Sequence, residues 1–77
     1  MITLYTRTVC PKCMGTKNQL EGLGLEINTI NVDLEENAAH AEKLREQGFM
    51  AAPILEVDGV FYGNLGEITK VIDALAE

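Results

Sequence analysis

Cys10 and Cys13 enclose Pro11 and Lys12, and this Cys-x-x-Cys pair is the arrangement in the chain whose residue types and spacing can do redox chemistry. Two thiols one helical turn apart can pass electrons to a disulfide, one sulfur attacking as thiolate and the other releasing the mixed disulfide. A structural zinc site is a poor account, because it wants four ligands and only His40 remains to join, in the middle of a different and acidic helix. His40 reads instead as a solvated helix-surface residue. A structural disulfide is a poor account too, since so short a ring constrains little of the unfolded chain.

The elements that must position the pair follow from pattern. Ile2-Thr3-Leu4-Tyr5-Thr6 reads as a strand, central because both faces are fairly apolar. Pro11 suits the first turn of a helix running to about Leu23 and closed by Gly22 and Gly24. Ile27 to Val32 is a second strand. Asp33-Leu34-Glu35-Glu36 reads as a cap opening a helix that runs to Gln47 and stops at Gly48. Ile54–Val57 and Val60–Tyr62 are joined by Asp58-Gly59, a strong hairpin signal, so these strands are expected to be antiparallel. Asn64 caps a last helix, with Glu67 three residues on and Ile68, Val71, Ile72 and Leu75 forming one buried stripe. Phe61 and Tyr62 alternate along their strand, so one is expected in the core and the other exposed.

This order places Cys10 where a helix begins. Unpaired backbone N–H groups and the positive end of the helix dipole favour its thiolate, which is expected to form more readily than that of a free cysteine. Arg7 and Lys12 push the same way, although exposed charges are screened. Cys13, one turn along and nearer the core, suits the resolving role. Arg7 is otherwise an exposed charge or an anchor for a partner's carboxylate. Pro53, preceded by Ala51 and Ala52, taken alone reads as the start of an edge strand.

Seventy-seven residues make a single domain, 1–77, with a modest core. The net charge of −6 argues against nucleic acid and anionic membranes. It is unevenly spread: the first 20 residues hold Arg7, Lys12 and Lys17 and no acid, and both cysteines lie among them. The chain enters a strand pattern at once and has no apolar run near the roughly 20 residues of a membrane helix, so neither leader nor span is expected and the cytoplasm is the expected compartment.

Tyr5-Thr6-Arg7, then Cys10-Pro11-Lys12-Cys13, then Ala52-Pro53 before a hairpin and Gly63 before the last helix together resemble the thioredoxin superfamily, and within it the glutaredoxin branch. The resemblance implies an α/β thioredoxin-like (glutaredoxin) fold of order βαβαββα, a four-stranded mixed sheet with three flanking helices. It further implies a cis bond at Pro53 beside the cysteines and a backbone at Ala52 that pairs with an extended substrate segment. Ile30-Asn31-Val32-Asp33 and Gln47-Gly48-Phe49 make the chain most similar to the NrdH-redoxins. That likeness implies a monomeric dithiol donor with no bound cofactor beyond a redox-active Cys10–Cys13 disulfide. Its electrons would come from thioredoxin reductase and pass to a disulfide-bearing protein such as ribonucleotide reductase.

The chain departs from both patterns. Where NrdH-redoxins usually carry Trp-Ser-Gly-Phe it has Phe61-Tyr62-Gly63-Asn64. Where glutathione-using glutaredoxins carry Tyr inside the motif, Thr-Val before the proline and Gly-Gly followed by acids, it has Lys12, Ala51-Ala52 and Gly63-Asn64-Leu65-Gly66-Glu67. The polar groups that would hold glutathione are therefore incomplete. An apolar patch of Val9, Met50, Ala51, Ala52 and Leu65 is available for a docking reductase. Gly63 reads chiefly as a backbone residue at a bend, and Asn64 as a cap before a ligand contact. Glutathione as donor is the alternative, and an iron–sulfur cluster carrier the second alternative. A colourless protein would count against the latter.

Overall fold

The computed structural model describes residues 2–49 and 52–76. Its elements are β1 (Ile2–Thr6), α1 (Pro11–Gly22), β2 (Ile27–Asn31), a 3-10 turn (Glu35–Asn37), α2 (Ala38–Glu46), β3 (Ile54–Val57), β4 (Val60–Tyr62) and α3 (Leu65–Leu75). The four strands lie in the order β2-β1-β3-β4, with β1 parallel to β2 and the other neighbours antiparallel. This is the mixed thioredoxin-like sheet that the resemblance implied, with β1 inside it. No helix among the described residues is long and apolar enough to cross a membrane.

Strand alternation divides the side chains between two cores. Leu4 faces Leu55 in register, and Leu55 faces Tyr62; this face packs with Leu20 of α1 and with Ile68 and Ile72 of α3. Tyr5 and Ile54 point the other way and pack with Leu44 of α2, joined by Ile30, Phe49 and Phe61. Coverage on both sides explains why β1 is apolar on both faces. It also corrects the expectation for Phe61 and Tyr62. Neither is exposed: Phe61 stacks on Tyr5 and Phe49 at centroid distances of 6.1 and 6.0 Å, and Tyr62 packs against the opposite core.

The hairpin forms as its residues dictate, with Asp58 and Gly59 both at positive φ, 50° and 87°. The α3 stripe is present, with Ile68 and Ile72 buried and Val71 and Leu75 half-buried. The start of α2 differs from expectation. Asp33 does not cap it; a 3-10 turn intervenes and the helix opens at Ala38, because the Asp33 carboxylate is taken by Arg7 and Thr8 across the loop after β1. Strand β2 ends at Asn31, one residue early, although the Val32 N–H still donates to the Thr6 carbonyl at 2.9 Å.

One polar group is drawn into the second core. The Tyr5 hydroxyl donates to Glu56 Oε1 at 2.7 Å, and burial, followed by that bond and the Glu56 charge, pushes its pKa up to about 12 from an ordinary 10.0. The fold thus favours neutral Tyr5. Its contribution is intact below pH 10 and is lost as the pH rises towards 12, because the unfolded chain ionises first. Absorbance titration of the phenolates should show a wave near pH 12 that Tyr5→Phe abolishes, and that substitution should cost about 1 kcal/mol in urea unfolding at neutral pH.

Candidate active site

Register brings the relevant segments to one end of the sheet. Thr6 pairs with Asn31, Tyr5 with Ile54 and Leu55 with Tyr62, so β1 and β2 leave the sheet where β3 enters it and β4 leaves it. Residues 7–10, 32–33, 52–53 and 63–64 therefore gather at that end. In α/β sheets this end, beyond the carboxyl ends of the parallel strands, is where ligands bind.

Cys10 is the N-cap of α1, and Pro11 is its first helical residue. The Cys10 carbonyl accepts the first helical bond, from the Met14 N–H at 3.2 Å. Its Sγ accepts the Cys13 N–H at 3.1 Å, so the sulfur fills the position that a hydroxyl or carboxylate oxygen usually fills at a helix start. Cys10 and Cys13 are joined as a disulfide with Cα atoms 5.2 Å apart. Cys13 is only 2 % exposed whereas Cys10 is half-buried, so an incoming sulfur meets Cys10 first. The Ala52–Pro53 bond is cis, with Pro53 buried and Ala52 half-buried. His40 is exposed and stands 6.2 Å from the Tyr5 ring, on the α2 side of the sheet.

The remaining candidates divide. Lys12 is exposed on the first turn of α1 and has no ion pair among the described residues. Val9 is 87 % exposed and Leu65 41 %, while Met50 and Ala51 of the expected apolar patch lie outside the described residues. Met14, 66 % exposed one turn after Cys10, is an apolar side chain that the sequence reading passed over. Asn64 caps α3, its Oδ1 accepting the Gly66 N–H at 2.7 Å. Arg7 is not a free charge: its Nε donates to Asp33 Oδ1 at 3.0 Å. The Thr8 backbone N–H, and after it the Arg7 guanidinium, hold the Asp33 carboxyl below its ordinary range.

A cleft of about 270 Å³ opens at the same end, floored by Tyr5, Leu44, Phe49 and Ile54, with Ala52 at its edge and Arg7, Asp33 and Arg45 among its lining. Gly63 controls one wall. A Cβ on Gly63 would stand 2.5 Å from Phe49 Cδ1, so this glycine is a packing requirement as well as a bend. That link joins residues 14 apart and has no local sequence signal.

The sequence model of the glutaredoxin family matches residues 2–62. The glutaredoxin-like protein NrdH of Salmonella typhimurium LT2 is 44 % identical over 54 residues, which are 70 % of this chain and 64 % of that protein. The chain thus spans about two thirds of the length of that relative. The NrdH protein of Lactococcus lactis subsp. cremoris is 36 % identical over 73 residues, covering 92 % of this chain and 99 % of that one. The solved structure of the NrdH-redoxin of Escherichia coli superposes with a TM-score of 0.77 at 33 % identity, covering 91 % of this chain and 92 % of that one. A buckwheat glutaredoxin in complex with glutathione shares the fold, at a TM-score of 0.77 and 22 % identity over 97 % of this chain and 70 % of that one.

Two alanine substitutions separate packing from conformational freedom. Gly63→Ala should destabilise by about 1–3 kcal/mol, because Phe49 must give way. Gly15→Ala, in the middle of α1 with nothing within 4 Å of the new Cβ, should stabilise by about 0.5–1 kcal/mol. Urea midpoints of the two variants check both signs.

Proposed function

Because the chain belongs to the glutaredoxin family, we propose that it is a thiol–disulfide oxidoreductase whose cysteine pair takes electrons from thioredoxin reductase and delivers them to a protein disulfide, with ribonucleotide reductase as the intended acceptor. The observation that carries this reading is Cys10 at the N-cap of α1, the more exposed partner of a disulfide with buried Cys13.

In the reduced protein the Cys10 thiolate attacks one sulfur of the target disulfide. The S–S bond of the target breaks, its other sulfur leaves as a thiolate, and a mixed disulfide with Cys10 forms. Cys13 then gives up its proton and attacks Cys10 Sγ, forming the Cys10–Cys13 disulfide and releasing the second target thiolate. The target gains two electrons and the pair loses two; the reductase restores the dithiol at the expense of NADPH. The helix start supports the Cys10 sulfur as attacker here and as leaving group in the reverse step. No bound cofactor takes part, one chain holds both sulfurs, and the cytoplasm, where thiols are kept reduced, suits a dithiol donor.

Several features support a protein donor. Val9, Met14 and Leu65 offer exposed apolar contact near the pair. Lys12, Asn64 and Leu65 stand where glutathione-using members carry other groups. The E. coli NrdH-redoxin is described as having a thioredoxin-like activity profile.

With insulin as acceptor, NADPH oxidation should be sustained by thioredoxin reductase and weak with glutathione and glutathione reductase at the same redoxin concentration. Robust turnover with glutathione and none with thioredoxin reductase would reverse the choice of donor. Cys10→Ser should abolish reduction in either system. Cys13→Ser should accumulate a mixed disulfide through Cys10, visible by intact mass and absent in Cys10→Ser.

A further inference from the structure

Between Thr6 and Cys10 the chain has neither ladder nor helix to hold it, and this loop delivers Cys10 to the start of α1. The bonds that fix it come from the end of β2. Asp33 accepts the Thr8 N–H on Oδ2 at 2.9 Å and the Arg7 Nε–H on Oδ1 at 3.0 Å. Asn31 Nδ2 donates to Thr8 Oγ1 at 3.3 Å, while Asn31 Oδ1 accepts the Asp33 N–H at 2.9 Å and so orients the carboxylate. The Asn31 carbonyl is tied in turn to Asn37 Nδ2 at 2.8 Å. These are the polar residues of the Ile30-Asn31-Val32-Asp33 stretch, for which disulfide exchange itself has no use.

The clamp also has an electrical effect. Three trans peptides keep the Arg7 and Cys10 Cα atoms within about 11 Å of each other. A bare guanidinium on the same loop favours the Cys10 thiolate, and stabilising the reduced form of a cysteine pair makes it a weaker reductant. Asp33 neutralises that charge. The other charged side chains nearby are Lys12 on the first turn of α1 and Arg45 of α2, which lines the same cleft as Arg7 and Asp33.

We propose that Asp33 is a positioning residue for Cys10, one that locks the β1–α1 loop to the end of β2 and, by cancelling Arg7, keeps the pair reducing. This rests on the oxidoreductase reading and names the device that tunes it.

Asp33→Asn keeps the shape and an acceptor for Thr8 but removes the charge; Arg7→Gln removes the cation and leaves Asp33 bare; the double variant is neutral again. The readout is the rate of Cys10 alkylation by iodoacetamide in the fully reduced protein at pH 6 and about 10 mM salt, with the equilibrium against dithiothreitol measured in parallel. Asp33→Asn should react about threefold faster and hold its dithiol more strongly by a similar factor. Arg7→Gln should react about threefold slower, and the double variant should return to the wild-type rate. All differences should shrink in 0.5 M salt. A purely structural role would lower the unfolding temperature and leave these rates unordered. Wild-type rates in both single variants, or a double variant that stays shifted, would overturn the proposal. Should Asp33→Asn fail to fold, Arg7→Gln alone decides by its sign. Failure of the wild-type protein to reduce insulin would instead overturn the oxidoreductase reading, and the alkylation rates are measured without it.

Discussion

The first turn of a helix has N–H groups with no partner inside the helix, and in this protein a sulfur supplies one. Cys10 sits at the cap of α1 with the Cys13 N–H on its Sγ, and the rest of the site depends on that placement. The chain must arrive from a rigid element, which β1 provides as an inner strand. It must turn into the helix at once, which Pro11 favours by its fixed φ. The same turn of helix carries Cys13 inward, so the two sulfurs differ in access as well as in their place on the helix.

Sheet topology does the remaining assembly. Because β1 and β2 run parallel and β3 runs against them, the loop bearing Cys10, the Asn31–Asp33 turn, the Ala52–Pro53 bond and the Gly63–Asn64 entry to α3 meet at one end without long loops. Apolar side chains on both faces of the sheet hold this end in place: α1 and α3 close over Leu4 and Leu55, and α2 closes over Tyr5 and Ile54. The aromatic series Tyr5–Phe61–Phe49 runs through the second core to the wall of the cleft, where Gly63 leaves room for it. The cleft and the second core therefore share residues.

Much of this was legible in the residues because it is local. The Cys-x-x-Cys pair, the Pro11 helix start, the Asp58-Gly59 hairpin and the Asn64 cap all rest on neighbours within four positions. Where a local and a distant partner compete, the sequence misleads. Asp33 followed by two glutamates reads as a helix cap, yet its carboxylate goes to Arg7 and Thr8, 26 and 25 residues back. Alternation put one of Phe61 and Tyr62 in water because it assumed a sheet covered on one face. The contact of Gly63 with Phe49 left no trace in composition. The cis bond before Pro53 was available only through family resemblance, since its neighbours merely permit it.

The central claim is that the helix start, and not the cysteine pair alone, makes Cys10 the attacking sulfur. Its most direct test is a pH titration of the Cβ resonances of both cysteines by NMR in the reduced protein labelled with ¹³C at cysteine. The account predicts that Cys10 ionises at clearly lower pH than Cys13. Ionisation of Cys13 first, or of both sulfurs together, would contradict it.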